Sequence, residues 1–555
     1  MNRRLVLVAP LTIALFAVLA WRAADRPLVA DEVEFVQTST ALVRSGQPLA
    51  CDGLEQSVIL HHPQGYHLIL GATLEALGHP GSPLVARLPG LLSLLLTLPL
   101  TYLLGCRLAR SPATSAGWPA VVLLLAAPLA IQGSLVVDID NTVLTPALLG
   151  FLLVLMRHAD QERSSALSLA GSAGLFALLL WIKLPTPFLA TAALAGAGLL
   201  TRGRRRLVLE SAAITALGAI LFALSWWAFC AWLGLDPLGP LSHLAGRGAD
   251  RAALTLTVLG KRALRLGFWL GPWLPMAAAL AARRLWSTDP FGRQPSPRVA
   301  ALYVALVLLG YLGVGGEAFG FTRYHVPLVP VLAGLAATTL GQSWIVARRA
   351  TILGAGLVAA MLLVAGDPLL PWYTLREALA AGDIAPGKGS AWLLVSSAVW
   401  LAPLVVVVVA PRWGVAAGDA LVIAAVVAGL VVSVHQLGAA YSTNYLYGER
   451  GMDAAIHHLA TRGPEPGLVI APKDLAFASL PCGSYAFTSR SLSRGQVRPL
   501  LERDQLSLLV IRRGHFADRT VRGELFDPIV QATLAERFDR TRVGDFIFFE
   551  RVITQ

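Results

Sequence analysis

Apolar stretches of about 20 residues recur along almost the whole chain, and no other feature limits its fold as severely. Inside a bilayer every backbone N–H and C=O must be bonded within the segment, so a run of that length is a spanning helix. By that criterion about 13 spans begin near Leu5, Leu84, Trp118, Asn141, Ala166, Pro185, Leu207, Leu264, Val299, Tyr324, Thr351, Ser390 and Ala420. The first follows Asn2-Arg3-Arg4 and has small residues near Ala20, as a signal peptide would; the dozen later spans favour a retained anchor. Only 14% of the 555 residues are charged, and the chain is too apolar for intrinsic disorder. Its four cysteines are too few to staple a secreted scaffold of this size.

Orientation follows from arginine. Alternate loops carry Arg3 and Arg4, then Arg107 and Arg110, Arg157 and Arg163, Arg202 with Arg204 to Arg206, Arg283, Arg284, Arg293 and Arg298, Arg348 and Arg349, and Arg412. These loops face the cytoplasm, as does the N-terminus. They hold 17 Arg against five acids (Asp160, Glu162, Glu210, Asp289 and Asp419), which accounts for the whole net charge of +12. The remainder is balanced, so the positive charge marks topology and calls for no nucleic-acid partner. The expected location is an inner, plasma-type membrane, crossed many times.

The outward set comprises residues 22–83, 133–140, 234–263, 316–323, 366–389 and everything after about 440. In the first of these, Glu32 to Val43 and Tyr66 to Leu77 read as helices lying along the membrane surface. Arg251, Lys261, Arg262 and Arg265 suggest a basic interfacial helix. Beyond Tyr441 the composition becomes that of a soluble domain. Glu449 to Ala460 suits a helix, Leu468–Ile470 and Leu506–Ile511 suit buried strands, and Phe546–Val552 suits the return arm of a hairpin. Two domains are therefore expected: a membrane domain over 1–440 that includes the outer loop 22–83, and an outward-facing α/β domain over 441–555. No internal repeat is evident, which weighs against a transporter built from repeated halves.

The few ionisable residues at outer span ends are the functional candidates, because charge at membrane depth is costly. They are Asp31, Glu32 and Glu34 after the first span, His61 and His62 in the same outer segment, Asp138 and Asp140 between the third and fourth spans, Lys183 ending the fifth, and Glu317, Arg323 and Tyr324 at a later outer mouth. Each also has a plain structural reading. Acids open helices, where the dipole favours them; Asp138 and Asp140 could pair with nearby bases; Lys183 and Arg323 could snorkel to headgroups. The histidine pair could be a loop element held by its own hydrogen bonds. No metal-ligand spacing is present locally, which leaves a divalent metal open and no cofactor assigned. His457 and His458 read as solvated positions on a helix.

Taken in order, these elements resemble the polyprenyl-phosphate-dependent glycosyltransferases of the GT-C type, particularly the protein O-mannosyltransferase and lipid A aminoarabinose transferase-like families. Residues 1–350 carry the resemblance. Asp31-Glu32 is similar to the acidic motif of the first outer loop, Arg87-Leu88-Pro89 to the Arg-Leu-Pro that opens the second span, and Asp140 to the acid of the second outer loop. Arg323-Tyr324 with Pro327 and Pro330 is similar to the Arg-Tyr-x-x-Pro-x-x-Pro segment. His62-Pro63-Gln64 departs from a basic residue followed by two prolines, and the extra soluble repeats of the eukaryotic O-mannosyltransferases are not seen. The resemblance implies a GT-C membrane fold, a polyprenyl-phosphate sugar donor, and a lipid, glycan or protein acceptor bearing a hydroxyl.

The residues suit that chemistry on their own terms. Sugar transfer needs a base for the acceptor hydroxyl and cations for the departing phosphate. Asp31 and Glu32, aided by Asp140, would meet the first need; Arg323 and Lys183 would meet the second. The resemblance favours Asp31 as base with Glu32 orienting it or the sugar, and an inverting displacement. The rivals are a lipid or solute transporter, which would want charges along the span interiors, and an inactive scaffold presenting its outer domain. Cys51 and Cys482 both fall on the outer side, where a bridge between them is one of the alternatives.

Overall fold

The computed structural model describes residues 14–24, 31–52, 55–78, 82–109, 116–140, 142–162, 164–249, 273–288, 295–314, 322–339, 401–413, 416–438, 452–462, 467–472, 485–487, 501–502, 506–512, 527–544 and 546–552, with a few isolated positions besides. Helix α1 covers Ala14–Ala24. After it come α2 (Asp31–Ser45), a hairpin of β1 (Leu49–Asp52) and β2 (Glu55–Val58), and α3 (Gly65–Ala76). The helical body continues with α4 (Pro83–Leu108), α5 (Gly117–Ala126), α6 (Pro128–Ser134), α7 (Leu144–Asp160), α8 (Ala166–Ile182), α9 (Pro185–Leu199), α10 (Arg206–Leu233) and α11 (Gly239–Ala249). It then includes α12 (Trp273–Thr288), α13 (Ser296–Leu308), α14 (Val329–Ala337), α15 (Leu401–Arg412) and α16 (Ala417–Gly438).

Among the described residues, α4 and α10 are each long and apolar enough to cross a membrane alone. The apolar run expected to start at Trp118 is broken into α5 and α6, which meet at 68°. Pro128 causes the break: it lacks an N–H to continue the ladder, and it holds Ala127 in an extended conformation (φ −73, ψ 116). The run near Val299 ends in a π-helical turn, Leu309–Val314, and the one at Tyr324 opens as a 3-10 turn, Thr322–Leu328. The spans expected near Thr351 and Ser390 begin outside the described residues, as does the basic segment of Arg251, Lys261, Arg262 and Arg265.

Local chemistry explains the helix boundaries. Ser82 caps α4, its side chain accepting from Val85 N, with Pro83 in the first turn where its missing donor costs nothing. Gly234 closes α10 with a left-handed φ of 68, which a residue with a Cβ adopts only at a cost. Glycine also sets the closest approaches: a Cβ on Gly90 of α4 would stand 2.8 Å from Ser134 O of α6. The core cluster runs through α3, α4, α5, α7, α8, α9, α12, α13 and α14. By contrast Leu209, Leu224, Trp227 and Trp232 on α10 are exposed, the pattern of a helix whose outer side meets lipid.

Residues from Met452 onward contribute α17 (Met452–Arg462), β3 (Leu468–Ala471), β4 (Tyr485–Phe487), β5 (Leu506–Arg512), α18 (Pro528–Arg537), β6 (Phe538–Val543) and β7 (Phe546–Arg551). The strands form one sheet in the order β4-β3-β5-β7-β6, with β3 parallel to β4 and β5, and β7 antiparallel to β5 and β6. Both faces are covered. On one, Val530 and Leu534 of α18 pack against Ile470, Leu509 and Ile511. On the other, Val469, Val510 and Phe548 pack with Ala455 and Leu459 of α17, and this cluster also takes in Cys51 of β1 and Val33 of α2. The sheet therefore rests on the segment of α2 and β1 that carries Asp31 and Glu32.

Candidate active site

Two buried ion pairs and one loop organise one end of the helices. Glu32, in the first turn of α2, is 3% exposed, and Arg87 of α4 is fully buried. Arg87 grips the carboxylate with both arms: Nη2 donates to Oε2 at 2.9 Å and Nε to Oε1 at 3.2 Å, while Nη1 donates to Ala23 O at 2.8 Å. Glu32 Oε1 also accepts from Val137 N at 2.9 Å. One carboxylate thus ties the end of α1, the start of α2, the first turns of α4 and the loop between α6 and α7.

That loop, residues 135–143, presents the second pair. Asp138 accepts from Asp140 N at 3.0 Å, Thr142 Oγ1 donates to Asp138 O at 2.7 Å, and Thr145 Oγ1 donates to Asp140 O at 2.7 Å. Held this way, Asp140 receives Lys183 Nζ at 2.5 Å on Oδ1 and 2.6 Å on Oδ2. Lys183 follows the last residue of α8 in an extended conformation, which turns its side chain toward the loop. Its ammonium lies 4.2 Å from the Tyr324 ring centroid and 5.7 Å from that of Tyr311. The two tyrosine rings are stacked, 5.6 Å apart and 11° from parallel.

The segment between α1 and α4 lines the neighbouring wall. Gly65 starts α3 against the end of α8, where a Cβ would stand 2.6 Å from Trp181 O. Tyr66 is fully buried; burial and then the Asp138 charge hold its phenol well above the ordinary range, so it stays neutral. His67 is bonded by Ser39 Oγ through Nδ1 at 2.9 Å and stacks on Phe35. Burial pushes His67 down to about 3, the charge of His61 adds to this, and the Phe35 backbone carbonyl opposes it. His61 stacks on His243 of α11 at 3.9 Å and lies 3.8 Å from Glu34.

Comparison with solved structures identifies the architecture. The crystal structure of ArnT from Cupriavidus metallidurans in the apo state superposes with a TM-score of 0.57 at 17% identity, covering 99% of each chain. The ArnT structure bound to undecaprenyl phosphate gives 0.56 at 16%, covering 98% of each. The chain has a GT-C fold. No protein-family model matches it, and no curated protein does.

On this GT-C fold the expected site residues separate into groups. Glu32, Asp138, Asp140, Lys183 and Tyr324 are all buried around the 135–143 loop. Asp31 is half-buried at the N-terminal end of α2, one residue from the Glu32–Arg87 pair. His61 and His62 lie half-buried between β2 and α3. Glu317 and the Arg323 side chain lie outside the described residues, although the Arg323 backbone belongs to the 3-10 turn that delivers Tyr324. Among the described residues no three His, Cys, Asp or Glu side chains gather to hold a metal ion. Cys51 is disulfide-bonded, Cys106 and Cys230 are free, and Cys482 lies outside the described residues. His457 is exposed, whereas His458 bonds Glu550 at 3.1 Å and lies over Phe548.

Three contributors escaped the sequence reading as site residues: Arg87, Tyr66 and Tyr311. Arg87 carried a usable signal, being an ionisable residue within an apolar helix. Tyr311 carried none, because its direction depends on the π-helical turn.

Proposed function

We propose that the protein is a membrane glycosyltransferase that moves a sugar from a polyprenyl-phosphate donor to a hydroxyl-bearing acceptor, lipid, glycan or protein, on the outer face of an inner-type membrane. The observation that carries this reading is the convergence of Asp31, the Glu32–Arg87 pair and the Asp140–Lys183 pair at one end of a fold shared with a structure that binds undecaprenyl phosphate. In this reading the N-terminus faces the cytoplasm, and residues 441–555 form the outward domain over the acceptor side. The membrane domain spans 1–440.

Asp31 is the base. It stands at the N-terminal end of α2, where the helix dipole favours negative charge. Glu32 is a positioning residue, because Arg87 and Val137 N already occupy its oxygens. As the acceptor O–H gives its proton to Asp31, its oxygen bonds to the anomeric carbon from the face opposite the phosphate. The bond from that carbon to the phosphate oxygen breaks, and the electron pair leaves with the polyprenyl phosphate. Arg323 and Lys183 stabilise that departing anion. A single displacement of this kind inverts the anomeric configuration.

Asp31→Asn tests the reading in purified, full-length protein supplied with a polyprenyl-phosphate-linked sugar. The variant should insert, fold and bind donor as the parent does, and lose turnover by a factor of about 100 or more. Full turnover in the variant removes Asp31 as base. Arg323→Ala should weaken donor binding more than acceptor binding; equal effects on the two remove it from the phosphate site.

A further inference from the structure

We propose that Asp140 and the lipid phosphate compete for the Lys183 ammonium, and that Tyr311 is a positioning residue that keeps this cation transferable between them. The inference rests on the donor assignment above and adds to it a defined exchange of partners. Lys183 Nζ lies 2.5 and 2.6 Å from the two Asp140 oxygens, so one carboxylate holds the cation from both sides. Its aromatic neighbours are the faces of Tyr324 and Tyr311. An aromatic face attracts a cation without neutralising it and without fixing a hydrogen-bond direction. Two stacked rings side by side therefore make a surface across which an ammonium can shift at little cost.

The backbone supports such a shift. Asp140 belongs to a loop, and Lys183 is the extended residue that caps α8, its N–H bonded to Leu179 O, so the helix fixes the Lys183 backbone while its side chain stands beyond the last helical residue. Tyr311 sits in the π-helical turn Leu309–Val314 that continues α13. Such turns are rare and recur at functional sites, because the extra residue redirects a side chain. Here it places the Tyr311 ring parallel to Tyr324 beside the ammonium. A phosphate oxygen offers the same acceptor chemistry as the carboxylate and carries comparable or greater charge. Transfer of Lys183 to the phosphate would place a cation on the leaving group and take it from Asp140.

This competition gives a sign that a purely structural ion pair would not. Binding of undecaprenyl phosphate to the full-length protein is measured in phosphatidylcholine nanodiscs, with undecaprenol as the control lipid. Asp140→Asn should tighten phosphate-lipid binding by about tenfold, since it removes one charged competitor for the ammonium. The gain should vanish in the Asp140→Asn, Lys183→Met double variant. Tyr311→Phe, which keeps the ring, should bind as the parent does, while Tyr311→Leu should bind about two- to tenfold more weakly. Folding of every variant is checked by its thermal midpoint. Unchanged or weaker binding in a folded Asp140→Asn protein overturns the exchange, and equal binding by the two Tyr311 variants overturns the positioning role. Should Asp140→Asn fail to fold, the Tyr311 pair still decides that role, and Asp140→Glu, which keeps the competing charge, should leave affinity within about twofold of the parent; tightening in that variant overturns the exchange. If the parent does not prefer undecaprenyl phosphate over undecaprenol, the donor assignment itself fails first.

Discussion

Replacing Arg87 with Met should destabilise the protein severely, and replacing Glu32 with Gln at the same time should restore most of what was lost. Arg87 spends its guanidinium on two bonds to Glu32 and one to Ala23 O, and neither charged side chain meets solvent to any useful extent. Removing the guanidinium alone leaves the carboxylate with Val137 N as its remaining donor in this set. Breaking a buried pair from one side costs about 3–5 kcal/mol, because the surviving charge keeps its desolvation penalty. Glu32→Gln alone leaves the guanidinium facing a neutral amide and should cost a similar amount. The double variant removes both charges, and the glutamine oxygen still accepts from Val137 N. Its net cost should fall within about 2 kcal/mol of the parent, which makes the coupling between the two sites about 3 kcal/mol or more. The assay is a double-mutant cycle on unfolding in mixed micelles titrated with SDS, with transfer activity followed in parallel. Single variants that cost under about 1 kcal/mol, or a double variant equal to the sum of its parts, would refute the reasoning. Turnover surviving in the double variant and lost in Asp31→Asn would separate the positioning acid from the base.

Protonation of His67 should make stability fall with acid. Its folded value of about 3 lies below the ordinary imidazole value, so between about pH 6.5 and 3 the unfolded chain takes up a proton that the folded chain refuses. Stability is complete above about pH 6.5 and declines by about 1.4 kcal/mol per pH unit below it. His67→Gln should flatten that part of a midpoint-against-pH curve, and an unchanged slope would remove His67 as its source. Gly71→Val should part α2 from α3, since a Cβ there runs into the Ser39 carbonyl and the Val43 side chain. A loss of about 1–3 kcal/mol is expected, and a stable, active variant would contradict the close packing. For the cysteines, Cys51 is oxidised while Cys106 and Cys230 are free, and the remaining cysteine in the sequence is Cys482. Mass spectrometry of unreduced peptides should find Cys51 joined to Cys482; two free thiols there would end the idea.

Legibility in the sequence followed the range of the interactions. Helix α2 could be read because its acids gather at the N-terminal end and Val33, Val36, Thr40 and Val43 return at helical spacing. The strands Leu468–Ala471 and Leu506–Arg512 were readable because buried parallel strands are short runs of Leu, Val and Ile. The hairpin Leu49–Asp52 with Glu55–Val58 was not, since four residues per arm are too few to show a period of two. Periodicity also passed over the break at Ala127-Pro128, because both halves are equally apolar and Pro128 had to be weighed on its own. The site was legible as a set of residue types and hidden as a set of pairs. Asp140 and Lys183 are 43 positions apart and Glu32 and Arg87 are 55 apart, so no spacing rule links them. Lys183 read as a phosphate ligand because a departing phosphate calls for cations; in the folded chain Asp140, from the loop between α6 and α7, holds it.

Charge is used in opposite ways at the two ends of the helical body, and this bears on where chemistry can occur. At the arginine-rich end the side chains finish helices. Arg107 donates to Met156 O and Arg206 to His158 O near the last turn of α7, Arg204 donates to Gln161 O just beyond it, and Arg298 bonds Leu200 O beyond α9. Cations there bond carbonyls at the ends of helices and oppose the negative end of the dipole. The arginines from which an orientation was read in the sequence therefore also secure the fold, and Asp160 and Glu210 pair with Arg107 and Arg206 at the same end. At the opposite end acids gather in the first turn of α2 and in the loop before α7, and their bases come from elsewhere in the chain, Arg87 from α4 and Lys183 from the end of α8. Bonds to backbone carbonyls cannot be exchanged without undoing a helix end. A side-chain pair held between a loop and a helix terminus can exchange partners, and the buried Asp140–Lys183 pair is held in that way.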